Sequence, residues 1–262
     1  MTQQGLLAGK CAFISGAGTA IGTAAARVFC REGATVMLVG RHQDKLDALA
    51  RELQEEGFAA EYLAVDVAHS AEVADAVDHT LSAFGRLDVA FNVNGAAAAP
   101  TALHVMADEL YDLVMDANVR GVWNCVRHQI RAMLPHGGAI VNSVSPAEPA
   151  GAPAPAIARA ADHAVLGLTM SAAAEYAPRG VRINAVVPGS MRAEMIDDWL
   201  QRGGGTGELL RGAEDLLRGA AASSPRTADP AEIAETAAWL LSHRASAVVG
   251  ATVHADAGRT IR

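Results

Sequence analysis

Cysteine is scarce in this sequence, and its distribution argues against two kinds of site. Cys11, Cys30 and Cys125 are widely separated, odd in number and include no CxxC pair. We therefore expect buried thiols in a reducing compartment rather than a disulfide framework or a cysteine-based metal centre. The nine histidines include no HExxH motif and no close cluster with cysteine, so no metal ligand is assigned. These absences predict a cytoplasmic protein without a bound metal.

Long apolar runs and a basic surface are also lacking. No stretch is long and apolar enough to cross a bilayer, and the first ten residues lack the basic and apolar regions of a signal peptide. The formal net charge is −8, and the basic residues are scattered along the chain. Such a chain presents no positive field to a phosphate backbone. We expect a small-molecule substrate and no membrane or nucleic-acid partner.

What the chain does have is an alternation of short Val-, Ile- and Phe-rich runs with segments of helical period. This alternation is typical of a parallel sheet covered by helices on both faces. A chain of 262 residues with 51% hydrophobic content can bury one such core. The sequence therefore predicts a single α/β domain with a doubly wound parallel sheet of seven strands, at 11–15, 35–39, 60–65, 88–93, 139–144, 181–187 and 251–255.

The ligand crevice of such a sheet lies at the carboxyl ends of its strands, so functional residues should directly follow strands. The connection over 189–229 is too long for a plain loop and contains the run GGGTG. A connection of that length is expected to be a lid or substrate wall, or else to be disordered.

The first predicted strand runs directly into residues 15–22, SGAGTAIG, which we call the glycine-rich turn, and then into a helix predicted at 23–31. Glycines let a backbone turn tightly and approach a pyrophosphate, whose charge is held by the N–H groups of the helix N-terminus. A tight turn alone needs no ligand. Here, however, the next strands end in Gly40-Arg41 and Asp66-Val67, an order that favours a dinucleotide site.

Several short motifs, in the same order along the chain, resemble those of the short-chain dehydrogenase/reductase family. The glycine-rich turn resembles that family's TGxxxGxG, and Asn118 stands at its helix-borne Asn position. The other matches are to its Asp-Val, NNAG, IVNISS, PG and DGG motifs, here Asp66-Val67, Asn92-Val93-Asn94-Gly95, residues 140–145, Pro188-Gly189 and Asp256-Ala257-Gly258. The resemblance spans nearly the whole chain and implies a Rossmann fold and an oxidoreductase that uses NAD(P).

The resemblance also assigns a cofactor site. By it, Asp66 hydrogen-bonds the adenine, Asn92 and Gly95 line the nucleotide, and Arg41 faces the adenosine ribose. The positions assigned to the cofactor are Ser15, Gly16, Thr19, Ala20, Ile21, Gly22, Arg41, Asp66, Val67, Asn92, Asn94, Gly95, Pro188 and Gly189.

Gly40 and Arg41 bear on the choice of cofactor. NAD-preferring members of the family carry an Asp at the position of Gly40, where it accepts a hydrogen bond from the ribose 2′-hydroxyl. Here that carboxylate is missing, and the Arg41 guanidinium that follows suits a 2′-phosphate. NADP is therefore the expected cofactor and NAD the alternative. A solvated Arg at a strand end is the competing interpretation of Arg41.

Ala20 stands where the family's turn has its middle glycine. The resemblance puts its methyl group where the backbone approaches phosphate, which implies weaker cofactor binding. If Ala20 adopts a positive φ, strain of roughly 1–2 kcal/mol follows, whereas at negative φ the alanine costs almost nothing. The sequence leaves both cases open.

The family's catalytic Tyr and Lys are missing. Counted from Ser145, the Tyr position holds Ala158 and the Lys position, one helical turn later, holds Asp162. The only lysines are Lys10 and Lys45, and none of the three tyrosines has a Lys four residues later. The phenol that donates a proton and the cation that lowers its pKa are therefore both absent. The family's usual carbonyl reduction is not expected.

Three polar residues remain as candidate catalytic groups: Ser145, Asn118 and Asp162, with Glu148 and Arg159 near them in sequence. Asp162 should face the pocket and act as a base, or else pair with Arg159 on the helix surface. Three functions stay open. They are an NAD(P)-dependent oxidoreductase of a small carbonyl or alcohol, a catalytically silent cofactor-binding or partner subunit, and a non-redox isomerase, cyclase or dehydratase using Ser145 and Asp162.

A helix predicted at 156–177 is crowded with Ala and Gly, which permits close helix approach. In the family this helix and the preceding one, here 106–134, form a four-helix contact between subunits. We therefore expect a homo-oligomer, dimer or tetramer, or a hetero-oligomer with a related chain.

Overall fold

The sheet has the predicted class. In the computed structural model, which describes residues 4–93, 95, 101–144, 156–188, 226 and 228–258, seven parallel strands follow the order β3-β2-β1-β4-β5-β6-β7. Each predicted strand is present, and its bounds are correct to within one residue. The strands are β1 (Cys11–Ser15), β2 (Thr35–Gly40), β3 (Ala60–Ala64), β4 (Val89–Asn92), β5 (Gly138–Ser143), β6 (Val181–Pro188) and β7 (Thr252–Ala255).

Seven α-helices of the described residues flank this sheet: α1 (Ala20–Arg31), α2 (Gln43–Glu55), α3 (Ser70–Phe84), α4 (Asp108–Met115), α5 (Gly121–Met133), α6 (Ala156–Tyr176) and α7 (Pro230–Leu241). Buried apolar residues of α1, α2 and α7 form a core on one face, and those of α3, α5 and α6 form a core on the other. The chain is therefore doubly wound, and the strand order reverses between β1 and β4. No helix in the described ranges is long and apolar enough to cross a membrane.

Two helix predictions need correction. The first helix begins at Ala20 rather than at residue 23, because the Thr19 hydroxyl caps it by accepting a hydrogen bond from the Gly22 N–H at 3.1 Å. The helix predicted over 106–134 is divided by a π-helical turn, Asp116–Arg120. Apolar periodicity does not reveal such a turn, since the helical residues on either side keep their buried faces.

Arg182 on β6 ties the C-terminal part of the fold together. Its guanidinium donates hydrogen bonds of 2.9–3.3 Å to the backbone carbonyls of five residues in and after the last turn of α7: Leu240, Leu241, Ser242, Ala245 and Val248. A cation here satisfies carbonyls that a helix end leaves without partners. Burial lowers the pKa of Arg182 from its usual range. β6 is thereby fixed to the segment that leads into β7.

Ala257 and Gly85 allow a reciprocal test of backbone strain. Ala257 has φ 57°, a left-handed conformation that disfavours a side chain, while Gly85 has φ 77° at the end of α3 with open space around it. We expect Ala257→Gly to raise the free energy of unfolding by about 0.5–1 kcal/mol and Gly85→Ala to lower it by about 1 kcal/mol, measured by urea denaturation. A less stable Ala257→Gly variant would contradict this account.

Candidate functional site

The glycine-rich turn folds against the end of β4. Gly16 has φ 69°, and a Cβ placed on it would lie 2.0 Å from the carbonyl oxygen of Val93. A Cβ on Gly22 would lie 2.2 Å from the Gly16 oxygen, so glycine at that position lets α1 pack closely on the turn. The Thr19 hydroxyl donates to the Gly16 carbonyl at 2.8 Å while it caps α1. The turn therefore presents the N-terminus of α1 at the point where the strand order reverses.

Ala20 is the first residue of α1 and is half-buried. Among the described residues other than glycine, only Ala257 has a positive φ, so Ala20 adopts the conformation in which alanine carries almost no strain. The strained alternative is therefore excluded, and the effect of the Ala20 methyl group on phosphate binding stays a prediction. Ile21, the next residue, is buried in the core beneath the turn.

The end of β2 lies directly beside the glycine-rich turn. The Ala17 N–H donates to the Val39 carbonyl at 3.0 Å, and a Cβ on Gly40 would lie 3.8 Å from the Ala17 nitrogen. An Asp at position 40 would therefore point at the turn, and glycine removes that carboxylate. Arg41 is exposed at the same place.

Lys45, which the sequence analysis did not assign to the cofactor, lies beside the turn as well. Its Cβ and Cδ lie 3.8 and 3.9 Å from the Cβ position of Gly18. One feature of the sequence could have drawn attention to Lys45. It lies in the first turn of α2, where a cation opposes the helix dipole.

The segment after β3 is held by its own short-range hydrogen bonds. Asp66 Oδ1 accepts from the Ala68 N–H at 3.0 Å, and the Asp66 N–H donates to Glu72 Oε2 at 2.8 Å. Asn124 on α5 donates to the carbonyls of Val67 and Ala68 at 2.9 and 3.1 Å. Asp66 and Val67 are thus fixed at the end of β3, next to β2, and their contact with adenine stays a prediction.

A chain of buried hydrogen bonds runs beneath these strand ends. Ser15 Oγ donates to Asn92 Oδ1 at 3.0 Å, and the Asn92 and Gln129 amides pair through two bonds of 2.8 and 2.9 Å. Asn92 Nδ2 also donates to Asn142 Oδ1 at 3.0 Å, and Asn142 Nδ2 donates to Thr169 Oγ1 at 2.9 Å. All five residues are at most 1% exposed. This buried amide network joins β1, β4 and β5 to α5 and α6.

Asn92 therefore has a different environment from the one expected. Its side chain is fully buried and bonded within the network, so its placement does not favour the predicted nucleotide contact. Gln129 was missed by the sequence analysis. The available signal was a polar residue that follows Val122, Cys125 and Val126 at helical spacing on the buried side of α5.

Asn118 and the start of α6, which the family resemblance assigns to catalysis, belong to adjacent elements. Asn118 lies in the π-helical turn, and a Cβ on Gly95 would lie 3.7 Å from Asn118 Oδ1. Ala158 and Asp162 are half-buried on α6, one helical turn apart. Ile157 and Ala161 on the adjacent face of α6 pack against Val114 of α4. Asn118 is thus close to Gly95, and the Ala158 and Asp162 positions lie on the helix that packs beside it.

Several predicted site residues lie outside the described residues. They are Ser145, Asn94, Gly189 and Glu148, together with the predicted lid except for residues 226, 228 and 229. Pro188, which ends β6, is described and buried.

Cysteines and possible metal ligands are dispersed in the structure. Cys11, Cys30 and Cys125 are buried and form no disulfide, and burial raises the pKa of Cys11 and of Cys30 to about 12. In the described ranges, no three His, Cys, Asp or Glu side chains are grouped so that they could hold a metal ion.

The buried amide network generates a stability prediction. Gln129→Met keeps the length of the side chain but removes both bonds to Asn92 and leaves part of that buried amide without partners. We expect the free energy of unfolding to fall by about 1–3 kcal/mol in chemical denaturation. Arg131→Met, at an exposed position of the same helix, is the control and should change it by less than about 0.5 kcal/mol. Equal effects of the two substitutions would mean that the network contributes no stability.

Comparison with known proteins agrees with this architecture. The model of a family described as "Enoyl-(Acyl carrier protein) reductase" matches residues 16–260. An "A-factor type gamma-butyrolactone 1'-reductase (1S-forming)" of Streptomyces virginiae is 46% identical over 99% of this chain and 98% of its own length. A "2,5-dichloro-2,5-cyclohexadiene-1,4-diol dehydrogenase" of Sphingobium indicum is 35% identical over 97% of this chain and 98% of its own length.

Solved structures give the same result. A short-chain type dehydrogenase/reductase from Mycobacterium ulcerans has a TM-score of 0.86 and 27% identity, covering 98% of this chain and 91% of that one. A putative short-chain dehydrogenase/reductase from Burkholderia xenovorans has a TM-score of 0.84 and 28% identity, covering 98% and 99%. With its strand order, its glycine-rich turn and these relatives, the chain belongs to the short-chain dehydrogenase/reductase family of oxidoreductases.

Proposed function

We propose that this protein is a cytoplasmic NADP(H)-dependent oxidoreductase of a small carbonyl or alcohol, with a proton-transfer step that differs from its family's. The observation that carries the proposal is the cofactor end of the sheet. There the capped N-terminus of α1, Gly40 without a carboxylate, and exposed Arg41 lie beside one another. A nicotinamide cofactor bound there would supply hydride. The three buried cysteines, which form no disulfide, fit a reducing compartment.

NADP is preferred over NAD in this proposal because of charge. The Cβ position of Gly40 faces the turn at 3.8 Å, so an Asp there would offer its carboxylate to a 2′-hydroxyl and repel a 2′-phosphate. Glycine removes that repulsion. Arg41 adds a planar guanidinium, which binds phosphate oxygens through two N–H groups at once.

The catalytic end lacks the usual acid. The methyl group of Ala158 donates no proton, and Asp162 carries negative charge where the family has a cation that lowers the pKa of the Tyr phenol. The proton must therefore reach the carbonyl oxygen from another residue, from ordered water or from the substrate itself. Asn118 and Ser145 are the remaining polar groups that the family resemblance assigns to this end. Asp162 is the candidate base.

The Streptomyces virginiae relative suggests a substrate class. Its name states that it reduces an A-factor type γ-butyrolactone at the 1′ position, and it is similar to this chain over almost the full length of both. A γ-butyrolactone with a 1′ carbonyl is therefore the first substrate to assay.

The loss of Tyr and Lys favours a second candidate, a cofactor-binding subunit without catalysis that serves a related chain. The non-redox alternative is an isomerase, cyclase or dehydratase that uses Ser145 and Asp162. It is supported only by the half-buried position of Asp162. Cofactor binding and turnover, measured separately, distinguish the three.

The first functional prediction concerns the missing acid and its partner charge. We expect the wild-type protein to bind NADPH but to reduce simple ketones and aldehydes at no more than about one hundredth of the rate of a relative with Tyr and Lys, since general acid catalysis contributes about 10²–10⁴-fold. The double change Ala158→Tyr with Asp162→Lys should recover part of that rate in an NADPH-oxidation assay.

The two single variants are the matched controls, and neither should recover activity because the phenol and the cation act as a unit. Wild-type turnover of simple carbonyls at the family's rate would contradict the account of the proton donor. Tight NADPH binding with no turnover of any carbonyl, the lactone included, would favour the second candidate. Conversion without any change in NADPH would favour the third.

An oligomer is also proposed, supported by apolar side chains on the described surface of α4, α5 and α6. Tyr111, Leu113, Trp123 and Met170 are each about half exposed, at 48–59%. The exposed residues of α6 include small ones, among them Ala160, Ala164 and Gly167. Small residues permit close approach of a second copy or of a related chain.

We expect a dimer or tetramer at micromolar concentration in light scattering, and we expect Gly167→Arg to reduce its mass to that of a monomer. Apart from the adjacent backbone of α6, no atom of the described residues lies within 4 Å of a Cβ on Gly167, so the variant should fold normally while its long cationic side chain blocks the α6 face. Ala83→Arg at an exposed position of α3 is the control and should leave the mass unchanged. A monomeric wild type would refute the proposal.

A further inference from the structure

Lys45 is placed where the glycine-rich turn and the end of β2 meet. Its Cβ and Cδ lie 3.8 and 3.9 Å from the Cβ position of Gly18, so its aliphatic stem runs along the turn. The Cβ position of Gly40 lies 3.9 Å from the Gly18 nitrogen. Gly18 is thus the shared neighbour of Lys45 on one side and of the strand end that leads into Arg41 on the other.

The charge of Lys45 is unfavourable where it stands. Lys45 is the third residue of α2, and a cation in the first turn opposes the helix dipole. Arg41, another cation, precedes it by four residues, and both are exposed. Neither forms an ion pair with any described residue, although α2 itself contains the pair Arg51–Asp47. Asp44 adjoins Lys45 in sequence and therefore lies about 100° away around the helix.

An anion bound between these two cations would account for their position beside the glycine-rich turn without an ion pair among the described residues. We propose that Lys45 and Arg41 together bind the 2′-phosphate of NADP(H), with Lys45 as a second determinant of cofactor specificity. This inference rests on the proposed NADP(H) function. A phosphate monoester carries a charge of about −1.5 to −2 at pH 7, so a single guanidinium leaves part of it unneutralised. The Lys45 ammonium supplies the remaining positive charge.

The test compares three ligands that differ in the 2′-phosphate and in the nicotinamide half: NADPH, NADH and adenosine 2′,5′-bisphosphate. Lys45→Gln keeps part of the aliphatic stem over Gly18 and removes the charge, while Lys45→Arg keeps the charge. In calorimetric titrations we expect Lys45→Gln to weaken NADPH and the bisphosphate about five- to thirtyfold. NADH should change by less than about twofold, and Lys45→Arg should retain most of the NADPH affinity.

Arg41→Ala should give the same selective loss, and the double variant should bind NADPH no better than NADH. Lys10→Gln is the matched control, because Lys10 precedes β1 at the opposite end of the sheet, where its ammonium lies 3.5 Å from Asp88. It should leave all three affinities unchanged.

The outcomes distinguish the role of Lys45 from the proposed NADP(H) function on which that role rests. Wild-type protein that binds none of the three ligands would overturn both proposals. Wild-type protein that binds NADPH selectively, while Lys45→Gln has no effect, would overturn the role of Lys45 alone. Equal losses of NADPH and NADH in Lys45→Gln would likewise overturn it, because they would show that Lys45 supports the turn and does not recognise the phosphate.

Discussion

The contact between Gly16 and the carbonyl of Val93 is the constraint on which the cofactor end of this protein depends. Because any side chain at Gly16 would come within 2.0 Å of that oxygen, only glycine lets the chain leave β1 and turn so close to β4. The positive φ of Gly16 directs the backbone toward Thr19, whose hydroxyl closes the turn and caps α1. The N-terminus of α1 is consequently held where the strand order reverses, between β1 and β4.

The two ends of the site are held by different interactions. Gly16 and Thr19 shape the glycine-rich turn, whereas Ala158 and Asp162 lie near the N-terminal end of α6. The buried amide network holds α6 farther along its length. Its last member, Thr169, ties α6 to β5 through Asn142. α6 is therefore held in place independently of the chemistry at its N-terminal end.

The sheet could be predicted from the sequence because buried parallel strands are short apolar runs, and each of the seven was placed to within one residue. The start of α1 was missed because its cap is a threonine inside the glycine-rich turn. The π-helical turn at Asn118 leaves no signal, since one extra residue per turn does not disturb the apolar pattern beyond it. The φ of Ala20 and the partners of Gln129 depend on contacts between distant segments, which a local pattern does not contain.

The hydrogen bonds of Arg182 also bear on the order in which the protein can assemble during synthesis. Arg182 precedes its five carbonyl partners by 58–66 residues, and β7, the neighbour of β6, is one of the last elements in the sequence. Until the segment with α7 and β7 leaves the ribosome, β6 is an edge strand, and the Arg182 guanidinium on it lacks these five carbonyl acceptors. The nascent sheet is therefore complete only when β7 pairs with β6. A chain released before that would expose β6 as an edge strand that can pair with other chains and aggregate.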